Sequence, residues 1–181
     1  MRRLGSLIRP FAVLAALAPG LALANPQVGP GLATLDYGIY CAETPDIVEE
    51  APGTASGVIN LVAEIPVLRW RQLVVPDDIG IGFGVIVEPH PGETLEPVIV
   101  TVTHPPFPDS GIEVEQWITT IESDSQSLMG FSFELPEEQV HGEWTFSASY
   151  EGEELYHIAF EVVPGSALPN MVITCMGGAL S

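Results

Sequence analysis

The chain has 181 residues, 46% of them hydrophobic, with 24 Asp and Glu set against five Arg and no Lys. That length fits one domain with a core of its own. Nucleic-acid partners are excluded, because binding to phosphate backbones rests on clustered Lys and Arg that this chain lacks.

The first element is a leader. Arg2, Arg3 and Arg9 form a positive start, Phe11 to Leu23 an apolar stretch, and Ala22-Leu23-Ala24 a small-residue cleavage pattern, which predicts a signal peptide removed after residue 24. The apolar stretch is interrupted by Pro19 and Gly20 and is too short to cross a bilayer, so no membrane span is expected after cleavage. With a Gram-negative cell assumed, a periplasmic or secreted protein is expected. Cleavage takes away three of the five arginines and none of the acids, so the formal charge falls from −19 to −22. The acid has two readings: solubility through self-repulsion, or an acidic face for a cationic partner or Ca²⁺. No Asp-x-Asp-x-Asp-Gly loop supports calcium.

Asn25 to Thr34 reads as a flexible lead-in, and residues 35–181 as a single domain. Short apolar runs of period two, punctuated by Gly and Pro, predict strands over Leu35–Cys41, Gly57–Ala63, Leu68–Val74, Ile79–Val87, Val98–Thr103, Glu113–Ile121, Gly130–Leu135, Glu143–Ser149, Leu155–Val163 and Met171–Cys175. Ala42 to Ser56 reads as a long surface loop. Strands with short connections and no amphipathic helix predict an all-β fold, an immunoglobulin-like antiparallel sandwich.

The stretch HGEWTFSASYEGEELYHIAFEVV, residues 141–163, holds two histidines and five carboxylates and raises the question of an active site. Strand parity answers it. Directly opposed residues of an antiparallel pair share a face, and a two-residue turn at Glu151-Gly152 would set Phe146 against His157. A three-residue loop Tyr150-Glu151-Gly152, with Gly152 in the left-handed position, instead pairs Phe146 with Tyr156 and Trp144 with Ile158. His157 then points outward opposite Thr145. The stretch is a hairpin with a buried aromatic face.

Cys41 and Cys175 stand near opposite ends of the chain, with no Cys-x-x-Cys anywhere. In an oxidising compartment an even pair of this kind predicts a disulfide clasp.

The remaining motifs carry little chemistry. Ser56 in Gly53-Thr54-Ala55-Ser56-Gly57 is one place off a nucleophile elbow. Asp109-Ser110-Gly111 is turn-forming, in a proline-rich loop. Gly80, Gly82 and Gly84 alternate inside an apolar strand with no helix to receive a phosphate; they predict close approach of a neighbouring backbone or a strong twist. None of His90, His104, His141 and His157 has metal-ligand spacing. A copper site gathered from dispersed His with Met129, Met171 or Met176 is the metal alternative. His104 ends a strand at a rigid Pro105-Pro106 loop, where it is read as bonding the loop backbone, with a ligand role as the alternative. Arg69-Trp70-Arg71 holds the only cations left after cleavage. They are read as pairing with nearby carboxylates, or as contacting an anionic group bidentately. Arg69, Trp70, Arg71 and His104 are thus the candidate binding residues, and no catalytic residue, metal ligand or cofactor is assigned.

The segments Ile79-GIGFGVIV-Glu88, Val98-IVTVTHPP-Phe107, Gly130-Phe-Ser-Phe133 and Glu138-Gln-Val-His-Gly-Glu-Trp144, with Glu161-Val-Val-Pro164, together resemble a bacterial domain-of-unknown-function family. Its members are exported immunoglobulin-like β proteins, alphaproteobacterial ones among them. Gly38-Ile-Tyr-Cys41, Ala51-Pro-Gly-Thr54, Arg69-Trp-Arg71 and Cys175 extend the likeness over most of the mature chain. The resemblance implies a compact all-β domain and brings no activity or site residue with it. The expectation is a non-catalytic module that binds another protein or an envelope component. The alternative is a periplasmic hydrolase or metal-binding protein using dispersed His, Met and carboxylate residues.

Overall fold

A computed structural model describes residues 26–177; the leader read over residues 1–24 lies outside them. The chain folds as a single β-sandwich. Its strands are β1 (Gln27–Val28), β2 (Leu32–Cys41), β3 (Ile47–Glu50), β4 (Val58–Leu61), β5 (Val74–Pro76), β6 (Ile81–Pro89), β7 (Thr94–Thr103), β8 (Val114–Glu122), β9 (Ser127–Ser132), β10 (Gly142–Tyr150) and β11 (Glu153–Val163), and a helix α1 (Pro169–Gly177) follows. The larger sheet runs β1-β11-β10-β7-β8, with β5 parallel to the far end of β11; the smaller runs β2-β6-β9, and β3-β4 form a separate hairpin.

Alternation along the strands builds the core. Val98, Val100 and Val102 of β7 and Trp144, Phe146 and Ala148 of β10 are buried, facing Phe83 and Val85 of β6. Phe83 joins the two sheets: its ring lies 5.6, 5.4 and 5.2 Å from those of Trp144, Phe146 and Phe160, each nearly edge-on. Edge-to-face packing of this kind is favourable beyond its buried area.

The hairpin of residues 141–163 has the expected faces and a different register. Trp144 and Phe146 are fully buried, but they oppose Phe160 and Ile158, two places further along β11 than expected. The turn is the two-residue one after all, with Glu151 and Gly152 at φ 51° and 86°, as a hairpin turn twisted to match its strands requires. The parity conflict is removed by a bulge between Ala148 and Ser149. Leu155 and Tyr156 are consecutive and both buried, so the extra residue is accommodated because it is itself apolar. His157 faces outward, opposite Ser147 rather than Thr145.

Four further expectations are corrected. Met171–Cys175 is helical, part of α1, where Met171 is buried and Ile173 exposed; Pro169 opens this helix at a position where proline is tolerated. The segment read as a loop over Ala42–Ser56 contains β3, whose four residues are all exposed. Of Leu68–Val74, only a bridge from Trp70 to Ile39 and the first residue of β5 are sheet. The lead-in Asn25–Thr34 carries β1 and the start of β2, anchored by Gly29 N–H to Leu155 O at 2.7 Å.

Candidate functional site

The two sheets close tightly over the aromatic core but part at one side. There β8 is the edge of the larger sheet and β9 the edge of the smaller, and the β3-β4 hairpin leans across the gap. A cleft of about 340 Å³ results, lined by Tyr40, Trp117 and Phe131 among its rings and by Glu43, Glu115, Glu134 and Glu138 among its charges. Among the described residues, no Lys, Arg or His lines it.

Glu115 is central. Strand parity that turns Ile121 into the core turns Trp117 and Glu115 the same way, and the Glu115 side chain is only 8% exposed. Its Oε2 accepts the Ala55 N–H at 2.8 Å, and Gly53 O accepts the Gln116 N–H at 2.9 Å. These two bonds pin the loop between β3 and β4 to β8. Oε1 has no hydrogen bond, although His104 Nε2 lies 3.4 Å away. His104 Nδ1 lies 2.8 Å from Pro105 O, a carbonyl that can only accept, so Nδ1 carries a hydrogen.

Glu138 is half-buried at the rim. Burial holds its carboxyl above the usual glutamate range; the negative charges of Glu134 and Glu115 push the same way, against N–H bonds from Glu134 and Leu135. Asn60 Nδ2 donates to both oxygens of Glu134, at 3.0 and 3.1 Å. Tyr40 is buried with its hydroxyl 3.3 Å from Ser132 Oγ, and burial pushes that hydroxyl up to about 12, so it stays protonated at any ordinary pH. The ring needs room that only glycine leaves: a Cβ at Gly82 would come within 2.2 Å of Tyr40 Cε2, and one at Gly130 within 2.5 Å of its hydroxyl.

The residues singled out from sequence are not gathered in one place. His104 sits in the core, its ring stacked between Phe107 at 4.0 Å and Trp144 at 4.5 Å, and only its Nε2 looks toward the cleft residue Glu115. Arg69 and Arg71 are exposed beside the edge of the smaller sheet, and Arg71 pairs with Asp36. Trp70 packs partly buried against the core. His90 Nε2 lies 3.0 Å from Pro30 O, His141 pairs with Asp77, and His157 is 3.9 Å from Glu154. Among the described residues, no group of three or more His, Cys, Asp or Glu is placed to hold a metal ion. Met129 and Met171 are core residues, whereas Met176 is exposed. Cys41 and Cys175 form the expected disulfide, tying α1 to the end of β2.

Sequence reasoning passed over the cleft. A signal existed, since Glu115 is a carboxylate at a core-parity position of a strand whose other inward residues include Trp117 and Ile121. The approach of β4 and of Glu138 depends on tertiary packing that no local pattern encodes.

An immunoglobulin-like protein from Pseudomonas aeruginosa, known from a crystal structure, superposes with a TM-score of 0.50 at 18% identity, over 78% of this chain and 99% of its own. That likeness is one of fold. No curated protein sequence matches the chain. The family model described as "Domain of unknown function (DUF3859)" matches residues 29–162, a span that takes in every residue of the cleft. This chain is thus a member of the DUF3859 family, with an immunoglobulin-like β-sandwich fold.

Proposed function

We propose that this protein is an exported, non-catalytic binding module of the periplasm or extracellular space, and that the cleft between β8 and β9 receives its ligand, a group on another protein or on an envelope component. The observation that carries this reading is the Glu115 carboxylate: a buried charge at the wall of a cavity lined by rings, held by one backbone bond and with one oxygen that has no hydrogen bond. Leaving a buried acceptor unpaired costs roughly 1–3 kcal/mol. The disulfide between Cys41 and Cys175 supports placement in an oxidising compartment. His104, the side chain best suited to acid-base work, is fully buried between two rings and out of reach of a substrate, which supports a binding role over a hydrolytic one.

The test is affinity capture from a periplasmic extract with three baits: wild type, Trp117→Ala/Glu138→Gln, and Arg69→Ala/Arg71→Ala. Species retained by wild type and by the arginine variant, but lost from the cleft variant, are the expected result. Retention of all species by the cleft variant, with loss from the arginine variant, would move the binding surface to the Arg69-Trp70-Arg71 edge.

A further inference from the structure

Building on that reading of the cleft, we infer that its ligand is an organic cation: an alkylammonium or guanidinium group on an apolar stem, as carried by a Lys or Arg side chain or by a free aliphatic amine. Four observations point there. Among the described residues, the charged side chains lining the cavity are all carboxylates. Glu115 Oε1 is buried and without a hydrogen bond, and a carboxylate oxygen accepts, so what it lacks is a donor. The Tyr40, Trp117 and Phe131 rings line the same space, and such faces attract a cation as well as its alkyl stem. Finally, Glu43, Glu115, Glu134 and Glu138 do not come together as a group able to hold a metal ion. Carboxylates spread apart and interleaved with rings suit a ligand that has length and several N–H groups, not a point charge.

The polar fixtures around the site have partners that leave this role open. Asn60 is committed to Glu134, and the backbone N–H groups of Glu134 and Leu135 to Glu138 Oε2. Tyr40 shares its hydroxyl with Ser132. The ligand therefore meets acceptors rather than donors. A carboxylate or phosphate group would find no cation among the described residues to pair with.

The experiment uses the disulfide-bonded protein and four probes: Nα-acetyl-lysine amide, its neutral counterpart Nα-acetyl-norleucine amide, cadaverine, and a trilysine peptide. Binding is read by NMR from the Trp117 indole N–H, the Asn60 side-chain amide and the Ala55 amide. The lysine probe should shift all three and the norleucine probe none, and added salt should weaken the binding because the contact is ionic. Glu138→Gln should weaken the lysine probe about tenfold, the loss expected of one charge-assisted contact, whereas Glu153→Gln on the distant hairpin tip should leave it unchanged. Glu115→Gln tests the central group. Since that residue also pins the β3-β4 loop, its fold is checked by near-UV circular dichroism, and Glu138→Gln decides the matter if it misfolds. Stronger binding of cadaverine assigns a free amine as the source, and stronger binding of trilysine a protein side chain; either sustains the inference. Equal shifts from lysine and norleucine probes would overturn the cation and leave the cleft as the binding place. Unmoved cleft resonances with every probe, together with capture that survives Trp117→Ala/Glu138→Gln, would overturn both.

Discussion

Two regions lie between the same pair of sheets and are built in opposite ways. Around Phe83 the chain contributes Trp144, Phe146, Phe160 and Phe133, all essentially without exposure, and the one polar atom of these rings, the Trp144 indole nitrogen, donates to Val140 O. On the other side, between β8 and β9, the inward positions are taken by Glu115, Trp117 and Phe131, and the covering element is a hairpin whose β3 strand is exposed at every residue. The first region removes apolar surface from water and holds the fold together. The second leaves a carboxylate in a place that costs free energy. The contrast sets a sealed aromatic side against an open, acidic one, and the binding role proposed above rests on the second.

The comparison can be broken or sharpened by substitution. The largest effect should come from the clasp. Cys41 and Cys175 close a loop 134 residues apart in sequence, so Cys41→Ser/Cys175→Ser should lower the unfolding free energy by roughly 5 kcal/mol on the chain-entropy estimate, measured by urea denaturation. Next, Trp144→Ala should cost about 3–5 kcal/mol, as large aromatic truncations in a packed core do; it also removes the indole bond to Val140 O at 3.2 Å. Truncating Trp117, only half-buried at the cleft, should cost clearly less, and equal losses at the two tryptophans would erase the distinction between core and cleft.

The pH dependence has a definite sign. Burial raises the Glu138 carboxyl, and burial with the neighbouring Asp77 charge raises that of Asp78. The folded chain therefore keeps protons that the unfolded chain has already released. The stability they confer is complete below the unfolded carboxyl values and is lost as pH rises through the higher folded ones. The melting temperature should accordingly be higher at mildly acidic pH than at neutral pH. Glu138→Gln should flatten that slope and raise the neutral-pH value, as differential scanning calorimetry would detect. The smallest effect is expected at the surface: Arg71 is 70% exposed in its pair with Asp36, and Arg71→Ala should change stability by no more than about 1 kcal/mol.

Strand parity made the architecture legible. The alternation in Trp144, Phe146 and Ala148 and in the return strand correctly separates the buried face from the outer one. It cannot locate a bulge, because Leu155 and Tyr156 are both apolar and either could have been the one turned away. The C-terminal segment misled for a related reason: Met171 to Cys175 is too short for period two and period 3.6 to differ, and the disulfide and Met171 decide its place from outside. His104 was correctly read as bonding its loop backbone. The cleft was not legible, because its walls come from β2, β4, β8, β9 and the turn at Glu138, stretches far apart in the chain that only the folded sandwich brings together.

One rim of the larger sheet has a final consequence. β1 lies along β11 at Tyr156 and His157, and β5 along it at Glu161 to Val163, so the chain's own short segments occupy both ends of that border and, among the described residues, leave only Ile158 to Phe160 between them. An incoming strand would find no run long enough to zip onto. Even at high concentration, fibrillar stacking from that side is blocked by the molecule's own backbone.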